Sequence, residues 1–455
     1  MAQVKTLDTA FLKAQDADRQ ASLAIGAVAI VNGTAPDHEL LKGRLAERIR
    51  PIPRCTQVLR TQDLEWVDYP EFDLTHHVRR VAIPRPGDDA GLSRVIAHAL
   101  ERPLDPDRPP WECWVIEGLK GNRWAILMKI HHGLADGNSA THLLARLCDE
   151  ADGDAFASHV GAERVSPPSA RQAGWADALG RAAAVTAGVA ARAVTGTAGN
   201  AATAIGVIWP ASRPVRPTTA MRRYSTVRAP LAEVDRVCHK FGVGANDVAL
   251  AVVTEGFREM LLRRGEQPRS DSLRTLAPPR SATLPYLPVE HHDPIQRLRA
   301  VHGGLNQTQP RSRAADFPPF VLCAKALQLL IRLPQSGVVT LAANAPGPRH
   351  RLRLMGQTVE RLLPIPPTSL QLSTGVAVLS YGDELVFGIT ADYRAASDIE
   401  RLAAGIELGM ARLEALSRDS VLLFTKNGPR KRASRALTGG AQRGRASAVT
   451  APGRC

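Results

Sequence analysis

The chain has 455 residues, 44% hydrophobic and 22% charged, which is ordinary globular usage over a length suited to two or three domains; wholesale disorder, a collagen-like repeat and a polytopic membrane protein are excluded. The formal net charge is +14, but eight cations from Lys426 to Arg454 lie in a tail without Asp or Glu, so residues 1–425 hold only about +6 and nucleic acid is not an expected partner. Six cysteines with no CxxC pair offer neither a zinc-ribbon spacing nor a redox motif, and suit a reducing cytosol.

The first twenty residues carry charges throughout, so no secretory signal is expected. SLAIGAVAIV (22–31) then reads as a strand and APDHELLKGRLAERI (35–49) as a helix opening after a turn. GLSRVIAHAL (91–100) has helical spacing. WVIEGL (114–119) and WAILMKI (124–130) read as strands around the Lys120-Gly121-Asn122 turn, and ATHLLARLCDE (140–150) as a helix. The alternation of strands with helices argues an α/β or α+β layer structure.

Residues 161–225 change character. Small residues dominate 182–207, and PASRPVRPTT (210–219) is punctuated by proline. This segment is expected to be a helical crossover and linker, with an interfacial helix lying on lipid as the other reading. From 226 the domain pattern returns. Helices are expected over 230–242, over 246–264 with Asn246 or Asp247 as cap, and over 320–333. VVTLAANAPGP (338–348) reads as a strand leaving into a turn, 374–392 as a hairpin around Gly382-Asp383, and 398–417 as a closing helix. The expected organisation is two similar halves, residues 1–160 and 226–425, joined by 161–225 and followed by a disordered basic tail over 426–455.

Chemistry concentrates in Lys129-Ile130-His131-His132-Gly133-Leu134-Ala135-Asp136-Gly137, where an apolar strand runs out before a helix. Side chains on a strand alternate faces, so His131 and His132 are expected to point opposite ways. Two such rings cannot chelate one ion, and no other ligand stands at metal spacing, so no metal is expected. A strand end followed by glycines suits a general base, with Asp136 holding the loop. The pairs His76-His77 and His291-His292 neither follow a buried strand nor precede a glycine, and read as surface or loop residues.

The His-His-xxx-Asp-Gly pattern resembles the signature of the CoA-dependent acyltransferase superfamily. Its surroundings narrow the resemblance to the bacterial wax ester synthase/diacylglycerol acyltransferase family over roughly residues 5–420. The landmarks are FDLTHHVR (72–79), RPPWE (108–112), Asn246-Asp247, Asn344-Ala345-Pro346-Gly347-Pro348 and SYGDELVFGITAD (380–392). The family's Pro-Leu-Trp triplet is Pro109-Pro110-Trp111 here, and 273–290 is shorter than the family's segment.

The resemblance implies two chloramphenicol-acetyltransferase-like domains, each a mixed sheet with helices, around a tunnel. It implies that His132 is the general base, with His131, Asp136 and Gly137 in supporting, structural roles. Acyl-CoA would be a substrate rather than a cofactor, and the acceptor diacylglycerol or a long-chain alcohol. The expected location is cytoplasmic, with peripheral contact to the inner membrane face or to lipid bodies. Two other readings keep the motif: a weak paralogue that binds acyl-CoA or coats lipid bodies, and a polyketide or glycolipid acyltransferase with a different acceptor.

Overall fold

The computed structural model describes residues 24–60, 65–131, 140–149, 221–276, 286–307, 338–345, 347–348, 350–366, 374–392 and 396–418. In chain order these are β1 (Ala24–Asn32), α1 (His38–Ile49), β2 (Gln57–Arg60), β3 (Glu65–Asp68), β4 (Val78–Ala82), α2 (Asp89–Glu101), β5 (Trp111–Leu119), β6 (Arg123–His131) and α3 (Ala140–Arg146). The second half adds β7 (Arg222–Pro230), α4 (Leu231–Phe241), α5 (Ala245–Arg263), β8 (Arg274–Leu276), α6 (Pro294–Gln307), β9 (Val338–Ala345), β10 (Arg353–Leu354), β11 (Gln357–Ile365), β12 (Thr374–Tyr381), β13 (Glu384–Asp392) and α7 (Ala396–Arg418). The expected crossover, the linker, the helix over 320–333 and the basic tail lie outside the described residues. The described residues all belong to one compact unit.

Hydrophobic patterning explains why the first sheet forms. Strands β1, β5 and β6 are apolar on both faces and therefore need cover on both. On one side Ala27, Val31, Trp124, Ile126, Met128 and Cys113 pack under α1 and α3. On the other, Val28, Ile30, Ala125, Leu127 and Trp114 pack under Leu92, Ile96 and Leu100 of α2. Helix α1 begins where the Asp37 carboxylate accepts the amides of Glu39 and Leu40, and α2 where Asp88 accepts that of Gly91.

The sheet runs in the order β10-β11-β1-β6-β5-β4. Its first two strands come from the chain's second half, with Gly26 of β1 opposite Ile365 and Ala29 opposite Leu362. A second sheet runs β7-β13-β12-β9-β8, and α4, α5 and α7 pack around it. The end of β11 presses on this second sheet. A Cβ at Gly388 of β13 would lie 1.8 Å from the Pro364 carbonyl oxygen, the same oxygen that accepts the Tyr224 hydroxyl of β7 at 3.0 Å. Only glycine allows that approach.

The cap of α5 corrects a sequence expectation. Gly244 occupies the cap position, and Asp247 sits one turn in, its carboxylate accepting the Gly244 amide at 2.9 Å. Glycine satisfies the backbone geometry there and Asp247 supplies the acceptor from inside the helix.

Candidate active site

Strand β6 ends at His131, the first residue of the His-His motif. The strand is buried along nearly its whole length because every residue from Trp124 onward meets a covered face. His131 pairs with Ala24 of β1, and its amide donates to the Pro110 carbonyl at 2.9 Å. The second proline of Pro109-Pro110-Trp111 therefore contributes to β6 through its carbonyl oxygen, a group that every residue has. His132, Gly133, Asp136 and Gly137 lie outside the described residues.

Two landmarks far apart in sequence meet beside this strand end. The imidazole of His77 stacks on the Trp111 indole with ring centroids 4.4 Å apart and planes 21° from parallel. Its Nδ1–H donates to the Trp111 carbonyl at 2.8 Å, while the His77 carbonyl accepts the Cys113 amide. The indole N–H in turn donates to the Cys55 carbonyl at 2.9 Å. His77 is 3% exposed, which corrects the surface reading of that residue; His76 remains exposed. Stacking on a tryptophan 34 positions downstream is what buries His77. Burial holds this imidazole below the ordinary histidine value, against the upward pull of the Trp111 carbonyl. Nearby, His76, Arg79, Asp105, Arg108 and Glu112 line a small cleft.

On the opposite face of the sheet from Trp111, toward α2, lies a buried charge cluster that sequence reasoning missed. Lys129 is fully enclosed. Its Nζ donates to the Ala99 carbonyl at 2.9 Å and to the Arg102 carbonyl, and lies 3.6 Å from Glu112 Oε2. Glu112, directly opposite Lys129 in the β5–β6 ladder, also accepts Arg79 through Oε1 at 3.1 Å and the Trp114 indole N–H through Oε2 at 3.2 Å. Burial pulls the Lys129 ammonium down to about 8, opposed by Glu112. The signal available in the sequence was a lysine inside the apolar run WAILMKI.

Other landmarks also meet in space. A Cβ at Gly347 would sit 1.7 Å from the Ser380 carbonyl oxygen, so the backbone at Gly347 lies directly against β12. At the start of α5, Asp247 receives His302 Nδ1 at 2.7 Å, and Asn246 Oδ1 is buried without a hydrogen-bond partner. The thiols of Cys55 and Cys113 are pushed up to about 12 by burial, so neither is a thiolate near neutral pH. No helix among the described residues is long and apolar enough to cross a membrane.

Comparison with known proteins covers both halves. A family model described as the wax ester synthase/diacylglycerol acyltransferase catalytic domain matches residues 4–249, and one for the C-terminal domain of the same family matches 281–414. A Mycobacterium tuberculosis (strain H37Rv) protein with the provisional name diacylglycerol O-acyltransferase is 61% identical over 460 residues, spanning 100% of both chains. A second protein of that strain with the same provisional name is 46% identical over 92% of this chain and 97% of its own. Among solved structures, the wax ester synthase/diacylglycerol acyltransferase from Marinobacter aquaeolei VT8 matches with a TM-score of 0.64 at 23% identity, over 91% of this chain and 100% of that one. The first condensation domain of the calcium-dependent antibiotic synthetase matches at 0.54 and 15%, over 92% and 96%. At such identities these two likenesses concern the fold, which is the two-part, chloramphenicol-acetyltransferase-like arrangement expected above.

Proposed function

Because the chain belongs to the wax ester synthase/diacylglycerol acyltransferase family and is therefore an acyltransferase of lipid synthesis, we propose that it transfers a fatty acyl group from acyl-CoA to the free hydroxyl of diacylglycerol, making triacylglycerol. The observation that carries this reading is the 61% identity, along the entire chain, to a protein named for that acceptor. Long-chain alcohols, giving wax esters, are a second acceptor class of the same chemistry.

The proposed mechanism is direct. The neutral imidazole of His132 takes the hydroxyl proton as the acceptor oxygen attacks the thioester carbonyl. The C–S bond then breaks, and the departing CoA thiolate takes the proton back from the His132 imidazolium, leaving as the free thiol and regenerating the base. Support for a route without an acyl-enzyme comes from two sources: the sequence has no GxSxG elbow, and the described thiols of the first sheet are held protonated. A base of this kind contributes ~10²–10⁴ in rate, and holding the two substrates together supplies much of the remainder. His131 and Asp136 serve the strand end and the loop.

The test is a purified-protein assay with one long-chain acyl-CoA and a panel of acceptors, following both neutral lipid and free CoA thiol. Triacylglycerol formation matched by thiol release is the expected result. Acyl-CoA binding without product would identify a binding paralogue, and product only with a polyketide or glycolipid hydroxyl would change the acceptor.

A further inference from the structure

We propose that Lys129 and Glu112 are a positioning pair for the acyl transfer assigned above, tying the strand end that carries His131 to the C-terminus of α2 and, through α2, to the second sheet; this rests on that assignment. An ammonium has three N–H donors, and the enclosed Lys129 has three acceptors around it: the Ala99 and Arg102 carbonyls and the Glu112 carboxylate. The two carbonyls belong to the last turn and cap of α2, which leaves carbonyls without partners within the helix. Glu112 fixes the lysine along the plane of the sheet, and the carbonyls fix it perpendicular to that plane.

The connection continues beyond α2. Glu101, in the same final turn, accepts the backbone amide of Arg222 at 3.0 Å, and Arg222 is the first residue of β7 in the second sheet. Across the first sheet, Arg79 of β4, Glu112 of β5 and Lys129 of β6 make a line of charge over three neighbouring strands. A side chain that only filled space here would be apolar, because burying a charge is costly unless every donor is used. Directional contacts on two axes, two residues before His131, instead hold a strand end to a fraction of an ångström, the tolerance that reactions between positioned partners demand.

Removing Lys129 alone would leave the buried Glu112 carboxylate with a single cation, the partly exposed Arg79. The informative variant is therefore the double Lys129→Met/Glu112→Gln, in which neither charge is orphaned and Arg79, already partly exposed, turns to water. With acyl-CoA and the acceptor that wild type prefers, turnover per folded molecule should fall about 10- to 100-fold while the KM for acyl-CoA stays within about twofold. Amide hydrogen exchange at the end of β6 should also become faster. Unchanged turnover per folded molecule would overturn the proposal. If wild type transferred no acyl group at all, the assignment under Proposed function would fail, while exchange at the end of β6 would still decide this inference: acceleration supports it and no change overturns it. The single Glu112→Gln keeps the lysine's bonds to α2 and should lie between wild type and the double variant; a Glu112→Gln as slow as the double would mean that the α2 carbonyls do nothing.

Discussion

The two halves of the molecule each bury one glutamate between two cations, yet they do so on different scaffolds. In the first half Glu112 sits on a strand between Arg79 and Lys129, and the cluster ends two residues from His131. In the second half Glu255 sits inside helix α5, between Arg297 of α6 and Arg412 of α7. Arg297 also donates to the carbonyls of His291 and His292, so this cluster staples three helices and the loop that leads into α6. The same chemistry thus orients a strand end in one place and fastens a helical layer in the other. Only the first should register in turnover.

The sharpest contrast comes from the motif itself. Replacing His132 with Ala should remove at least ~10² of turnover with the thermal transition preserved, since a base is lost and not a packing group; His131→Ala should instead act mainly through stability. Inverted behaviour of the two variants, read by kcat beside calorimetry, would reverse which histidine is the base.

Next in size is Glu255→Ala, which leaves a buried arginine without its partner and should cost about 3–5 kcal/mol of stability. Turnover per folded molecule should not change. Denaturant unfolding beside active-site-normalised kcat checks both, and a large loss of kcat would dissolve the distinction between the two clusters. A smaller loss is expected for Trp111→Phe. It keeps a ring for His77 to stack on but strips the donor from the Cys55 carbonyl, at about 1–3 kcal/mol.

The smallest effect is one of pH. His77 is held below the ordinary histidine value by burial, so the unfolded chain binds its proton more readily than the folded one. The stability tied to His77 is therefore complete above the unfolded value of 6.5 and is lost as pH falls from there toward the folded value. Melting temperatures of wild type should drop more between pH 7.5 and pH 5.5, a range chosen to straddle roughly that window, than those of His77→Phe. Parallel curves would show that the His77–Trp111 stack carries no proton linkage.

Strands with a continuous apolar run were legible in the sequence: β1, β5, β6 and the β12–β13 hairpin fall where the pattern puts them. Strands β4 and β7 were not, because Val78-Arg79-Arg80-Val81 and Arg222-Arg223-Tyr224 fill strand positions with arginines; the fold pairs Arg79 with Glu112 and Arg80 with Glu117, and buries Arg222. Of the site, the location of the strand end was readable, and its supports were not. His77 becomes buried through Trp111, Lys129 finds acceptors on a helix some thirty residues earlier in the chain, and the cap of α5 is a glycine whose acceptor arrives from inside the helix. Each depends on partners brought together by the fold, which local periodicity does not encode.

The late arrival of β11 carries a consequence for how this protein is made. Until residues 357–365 leave the ribosome, the outer edge of β1 from Gly26 to Val31 has no neighbour on that side, and a long apolar edge with open N–H and C=O groups is a template for joining the wrong chain. The nascent first half therefore spends most of translation with its sheet incomplete, and the closing pair spans more than three hundred residues of sequence, the kind of non-local contact that slows folding.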